Sequence, residues 1–126
     1  MGGIARNPLS NLISLYAKEY RKLAETSTAK AKVSFLIAWD FPGSYIPRNF
    51  YNHLKALEEA TKAHRVQKSV LIAPDTAAAN LAKKTIEKFG GEVYVAPLLD
   101  RNLLALKKAN PNLLLKALEE AVKVTL

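Results

Sequence analysis

Asp40 closes an apolar run in Trp39-Asp40-Phe41-Pro42. A carboxylate at a strand's end could ligate Mg²⁺ or Mn²⁺, because hard divalent ions prefer oxygen ligands and polarise a phosphate for attack. The same position suits an aspartate that only hydrogen-bonds the backbone of the Pro42-Gly43 turn, and one carboxylate per chain makes a poor hydrolytic site alone. Arg65, Gln67 and Lys68 lie in a second run, Arg65 to Asp75. They could meet phosphates along a strand edge, or form a solvated edge that resists aggregation. His53 and His64 have neither metal-like spacing nor an acidic cluster nearby and are expected at the surface.

Other chemistries are excluded by what the chain lacks. There is no cysteine, hence no disulfide, thiolate nucleophile or Cys-based zinc site. No Gly-x-Ser-x-Gly elbow and no Gly-x4-Gly-Lys phosphate loop occurs, which leaves serine esterase chemistry and P-loop nucleotide hydrolysis unsupported.

Charge points to polyanionic partners. Among 126 residues, 19 Lys and Arg oppose 11 Asp and Glu, a formal net charge of +8, and phosphate contacts are made chiefly by Lys and Arg. Residues 1–32 carry six basic and two acidic side chains, so half of the excess precedes the first core strand. Arg21, Lys22, Lys30 and Lys32 are the phosphate-contacting candidates there, with Tyr16 and Tyr20 packed inside. Lys83, Lys84 and Lys88 read more simply as the wet face of a helix.

These residues need elements to position them. Asn7-Pro8 starts a helix, with Asn as N-cap, over which Leu9, Leu12, Ile13, Tyr16, Tyr20 and Leu23 form one stripe. Residues 26–32 read as a linker. Val33 to Trp39 is a nearly continuous apolar run, as expected of a strand buried on both sides. A helix follows, with Phe50, Leu54, Leu57 and Thr61 facing inward and Glu58-Lys62 paired outside. Val66 to Ile72 is a second strand, and Pro74-Asp75 caps a helix over Ala78, Leu81, Ala82, Ile86 and Phe89 that ends at Gly90-Gly91. Glu92 to Pro97 is a last strand. Asp100 and Asn110-Pro111 start a leucine-rich tail whose Leu113, Leu114, Leu115 and Leu118 cannot share one buried face.

The expected fold is α+β and ferredoxin-like, β-α-β-β-α-β if residues 65–74 supply two strands and β-α-β-α-β if they supply one. No Asn-Gly type of dipeptide inside 65–74 marks a regular two-residue hairpin. The chain divides into a basic helix and linker (1–32), the core (33–99) and the helical tail (100–126). It is one domain by size. No apolar run approaches the ~20 residues of a membrane span, which predicts an intracellular protein without a membrane partner.

Ala38-Trp39-Asp40-Phe41-Pro42 and Arg65-Val66-Gln67-Lys68-Ser69-Val70, with a closing strand like Val93 to Leu98, resemble the CRISPR-associated protein two family of the spacer-acquisition machinery. Ser69-Val70-Leu71-Ile72-Ala73-Pro74-Asp75 is similar to the C-terminal domain of phenylacetate-type transcriptional repressors, which share that fold. The resemblance implies a ferredoxin-like fold, a homodimer and a link to nucleic acid. It matches Asp40 to the family's proposed metal-holding aspartate and Arg48 to a basic residue on its first helix. Gly43 to Pro47 replaces the family's further acidic residue and clustered arginines, which weighs against nuclease activity. Residues 1–32 are too short for the repressors' winged helix.

The expectation is a non-catalytic, homodimeric protein that binds DNA or RNA, such as a transcriptional regulator, and requires no cofactor. Arg21, Lys22, Lys30, Lys32, Arg48, Arg65 and Lys68 would engage phosphates. A Mg²⁺- or Mn²⁺-dependent nuclease built on paired Asp40 residues is one alternative, and a protein-interaction module is another.

Overall fold

Every second residue of β1 (Ser34–Asp40) is buried: Phe35, Ile37 and Trp39 face the core, while Ser34, Leu36 and Ala38 are half-exposed. The strand is therefore buried on one face, not on two as its apolar run suggests. Leu36 and Ala38 are apolar without being core. The computed structural model describes residues 8–26, 33–98 and 101–125, so Asn7, Lys30, Lys32 and Asp100 lie outside the described residues.

Around β1 the chain forms α1 (Pro8–Thr26), α2 (Phe50–Thr61), β2 (His64–Gln67), β3 (Val70–Ala73), α3 (Thr76–Lys88), β4 (Glu92–Leu98), α4 (Arg101–Ala109) and α5 (Pro111–Thr125). The four strands make one antiparallel sheet in the order β2-β3-β1-β4. This is the β-α-β-β-α-β ferredoxin-like arrangement, carrying added helices before and after it.

Residues 65–74 thus supply two strands. Gln67 pairs with Val70, leaving Lys68 and Ser69 as a two-residue connection. Neither has the positive φ of the usual hairpin turns. Turns with negative φ splay the strands they join, and the register shift between Arg65 and Gln67 absorbs the mismatch as a bulge. That device carries no dipeptide signature.

The helices follow the apolar spacing. Phe50, Leu54, Leu57 and Thr61 of α2 and Ala78, Leu81, Ala82 and Ile86 of α3 are buried. Asp75 caps α3, its Oδ1 accepting the Ala78 N–H at 2.8 Å. Gly90 takes φ +88°, and the Gly91 N–H returns to the Ile86 carbonyl at 3.0 Å. A Cβ on Gly91 would stand 2.7 Å from Ile86 Cγ2 and 3.1 Å from Phe41, so only glycine fits this approach.

The tail packs by its small residues. Ala117, Ala121 and Val124 of α5 join the core beside α3 and β4, whereas Leu115 is 57% exposed. Asn110 Oδ1 accepts the Leu113 N–H at 3.1 Å and caps α5 as its sequence predicts. No helix among the described residues is long and apolar enough to cross a membrane.

Candidate nucleic-acid interface

α1 carries Lys18, Arg21 and Lys22 at i, i+3 and i+4, which places them along one side of the helix. All three are exposed, and none forms an ion pair among the described residues. The opposite stripe of α1 packs on α2 and α3, forming a layer outside the helices that cover the sheet. Two tyrosines fix it there. Tyr20 donates to Asp75 Oδ2, the second oxygen of the α3 cap, and the Tyr16 hydroxyl lies 2.8 Å from His53 Nδ1 on α2. Beside this contact α3 adds Lys84, paired with Glu19 at 2.8 Å, and Lys88.

The sheet-edge cations are arranged differently. The Arg65 guanidinium lies 5.2 Å from the centre of the Tyr51 ring, with its Nε 3.9 Å from Glu58, and its backbone N–H donates to Glu58 Oε1 at 2.9 Å. Glu58 is therefore engaged by Arg65, and no ion pair with Lys62 accompanies it among the described residues. Lys62 itself takes φ 65° as the α2 C-cap, a geometry its i, i+4 spacing does not reveal. Lys68 is exposed on the β2–β3 turn, and Arg48 is exposed just before α2.

Strand register gathers Asp40, Arg48 and Lys68 at one end of the sheet. Ala38 pairs with Val70, the Trp39 N–H donates to the Ser69 carbonyl, and Phe41 stacks edge-on against Phe50 at the start of α2. Arg21 and Lys22 sit on the separate outer layer. Asp40 is exposed and lies directly opposite Glu92 of β4. No group of three His, Cys, Asp or Glu able to hold a metal occurs among the described residues.

No family model, curated protein or solved structure matches this chain.

Two residues escape sequence reasoning. Glu92 becomes Asp40's neighbour only through the β1–β4 register, since 52 positions of chain separate them. Tyr94, 60% exposed on the same face, donates to Glu92 Oε2 at 3.2 Å, and that bond, with the charges of Glu92 and Asp40, raises its pKa. His53 is half-buried rather than a plain surface residue, held between Tyr16 and the Phe89 ring. Its pKa is lowered, first by burial and then by Lys88. A neutral imidazole can accept the Tyr16 proton at Nδ1, which leaves Nε2 as the N–H.

The Tyr20–Asp75 bond holds the basic helix to the core, and its titration has a definite sign. Burial, followed by the hydrogen bond to Asp75, pushes the Tyr20 pKa up to about 12. A folded-state pKa above the unfolded value near 10 means that the contribution is fully present below pH 10 and is lost as pH rises towards 12. Tyr20→Phe is expected to lower unfolding stability by about 1.5–3 kcal/mol, the range for hydrogen bonds to charged groups. It should also flatten part of the alkaline loss. Urea denaturation from pH 7 to 12 checks both, and equal stability of variant and wild type at pH 7 would show that the bond is not what fixes α1.

Proposed function

We propose that the chain is a non-catalytic nucleic-acid-binding protein that acts as a homodimer, contacting phosphates through its outer helix layer. The observation that carries this reading is the strip of Lys18, Arg21 and Lys22, exposed, unpaired among the described residues and close to Lys88. Cations on a rigid helix meet a phosphate backbone without the main chain having to order first, and each contact releases condensed counterions. Lys68 and Arg48 extend the basic surface at the end of the sheet. Arg65 contributes less, because Glu58 already offsets its charge.

Dimerisation fits the half-exposed sheet face. Leu36, Ala38, Val70 and Ile72 form its centre, and none of them is buried. Pairing two such faces would remove apolar surface from water and double the basic footprint. The reading is compatible with the resemblance to the CRISPR-associated family and to the repressor domains, both of which imply a ferredoxin-like homodimer.

The test is binding of labelled duplex DNA, single-stranded DNA and RNA between 50 and 200 mM salt, alongside the solution mass. If four cations of one chain contact phosphate, affinity should fall about a hundredfold across that range, at about −0.9 in logarithmic slope per contact, and a dimer that engages through both copies should lose about four decades. No shift up to about 100 µM protein, or a shift indifferent to salt, would overturn the reading. A stable oligomer without any shift would instead favour an assembly module, for which Leu104, Leu115 and Val122 supply exposed apolar surface.

One observation favours a second reading. Asp40 and Glu92 form an exposed carboxylate pair. Like charges directly opposite on a sheet are unfavourable unless something binds them, and two copies across a dimer would offer four carboxylates to Mg²⁺ or Mn²⁺. Metal-dependent cleavage that Asp40→Asn abolishes, with binding retained, would establish the nuclease. Cleavage that survives this substitution, or intact nucleic acid with either ion, would exclude Asp40 from that role.

A further inference from the structure

The groove between α1 and α3 has a volume of about 550 Å³ and two unlike kinds of lining. Leu15 is apolar and 63% exposed, Leu12 beside it is half-buried, and the buried Leu81 lies beneath them. Lys18, Lys22 and Lys88 are cationic and without an ion-pair partner among the described residues, whereas Lys84 is engaged by Glu19. The less exposed lining, Tyr16, His53 and Thr85, is already hydrogen-bonded internally, Thr85 Oγ1 donating to the Leu81 carbonyl at 2.8 Å.

Each kind of lining restricts the ligand. One carboxylate, Glu19, faces four lysines in the groove, so a neutral molecule would leave a net positive charge unanswered, and a bare inorganic anion would leave Leu15 and the half-buried Leu12 wet. A nucleic-acid backbone would use the lysines and make no use of Leu12 or Leu15.

We propose that this groove binds a small amphiphilic anion, its carboxylate or phosphate monoester head group held by Lys18, Lys22 and Lys88 and its aliphatic body lying on Leu12 and Leu15. Charge-assisted contacts supply orientation, and the apolar body supplies most of the surface removed from water. The site does not depend on the chain binding nucleic acid.

Calorimetric titration of the whole chain with decanoate, decyl phosphate, decanol and inorganic phosphate tests it. Decanoate or decyl phosphate should saturate at one per chain with a Kd below about 1 mM, while decanol and inorganic phosphate bind at least about tenfold more weakly. The first two arms distinguish carboxylate from phosphate as the head group. Leu15→Glu and Lys88→Glu alter exposed side chains, so the fold should survive, as an unchanged Tm would verify. Each should weaken binding about tenfold or more. Lys108→Glu on α4, outside the groove, should change it less than about twofold. The proposal is overturned if neither anion saturates, if decanol binds as tightly, or if Lys108→Glu costs as much as Lys88→Glu.

Discussion

Phe50→Ala is expected to destabilise the fold by about 3–5 kcal/mol, the range for truncating a fully buried aromatic. Phe50 is 0% exposed and stands at the centre of an aromatic cluster, with Trp39, Phe41, Tyr51 and Phe89 all meeting its ring edge-on. Ring pairs in that geometry contribute beyond the area they bury. Four partners come from β1, the residue after it, α2 itself and the end of α3, so collapse cannot refill the cavity without moving several elements together. Since small domains are stable by only about 5–15 kcal/mol, a large part of the variant should unfold at moderate denaturant. Urea titration followed by Trp39 fluorescence checks this, and a loss under about 1 kcal/mol would show that the cluster is not the anchor. Phe50→Leu, which retains most of the volume, should lose less.

The second large effect concerns binding. Arg21→Ala combined with Lys22→Ala is expected to weaken nucleic-acid affinity at least about 10–100-fold at low salt and to make the salt slope shallower by about two for each copy of the chain that contacts the nucleic acid. Both side chains are exposed on α1, so stability should change by no more than about 0.5 kcal/mol. The control is Lys107→Ala with Lys108→Ala, which removes the same charge from the last turn of α4. A simple net-charge effect would weaken both pairs equally. A specific surface on α1 would spare the control, and unchanged affinity in the α1 variant would remove that helix from the interface.

The elements were legible where apolar period and caps agreed. Asp75 and Asn110 cap the helices that their positions predict, and Phe50, Leu54 and Leu57 face inward at helical spacing. The hairpin was harder to read, because a bulge rather than a glycine reconciles the Lys68-Ser69 connection with strand twist. Lys30 and Lys32 lie outside the described residues, and the cations that the fold positions are those of α1, α3 and the sheet end.

The α+β class, the absence of thiol chemistry, the excess of positive charge and most helix faces follow from residue type and local period, and could be read directly from the chain. Which surfaces exist depended on how the elements pack. The identical alternation of Leu36 and Ile37 in an apolar run became a half-exposed face and a buried one because the helices cover a single side of the sheet. The meeting of Tyr20 with Asp75, of Asp40 with Glu92 and of the α1 and α3 lysines around one groove likewise required strands in register and helices in contact. Such contacts join residues far apart in the chain, and local propensity carries no information about partners at that separation.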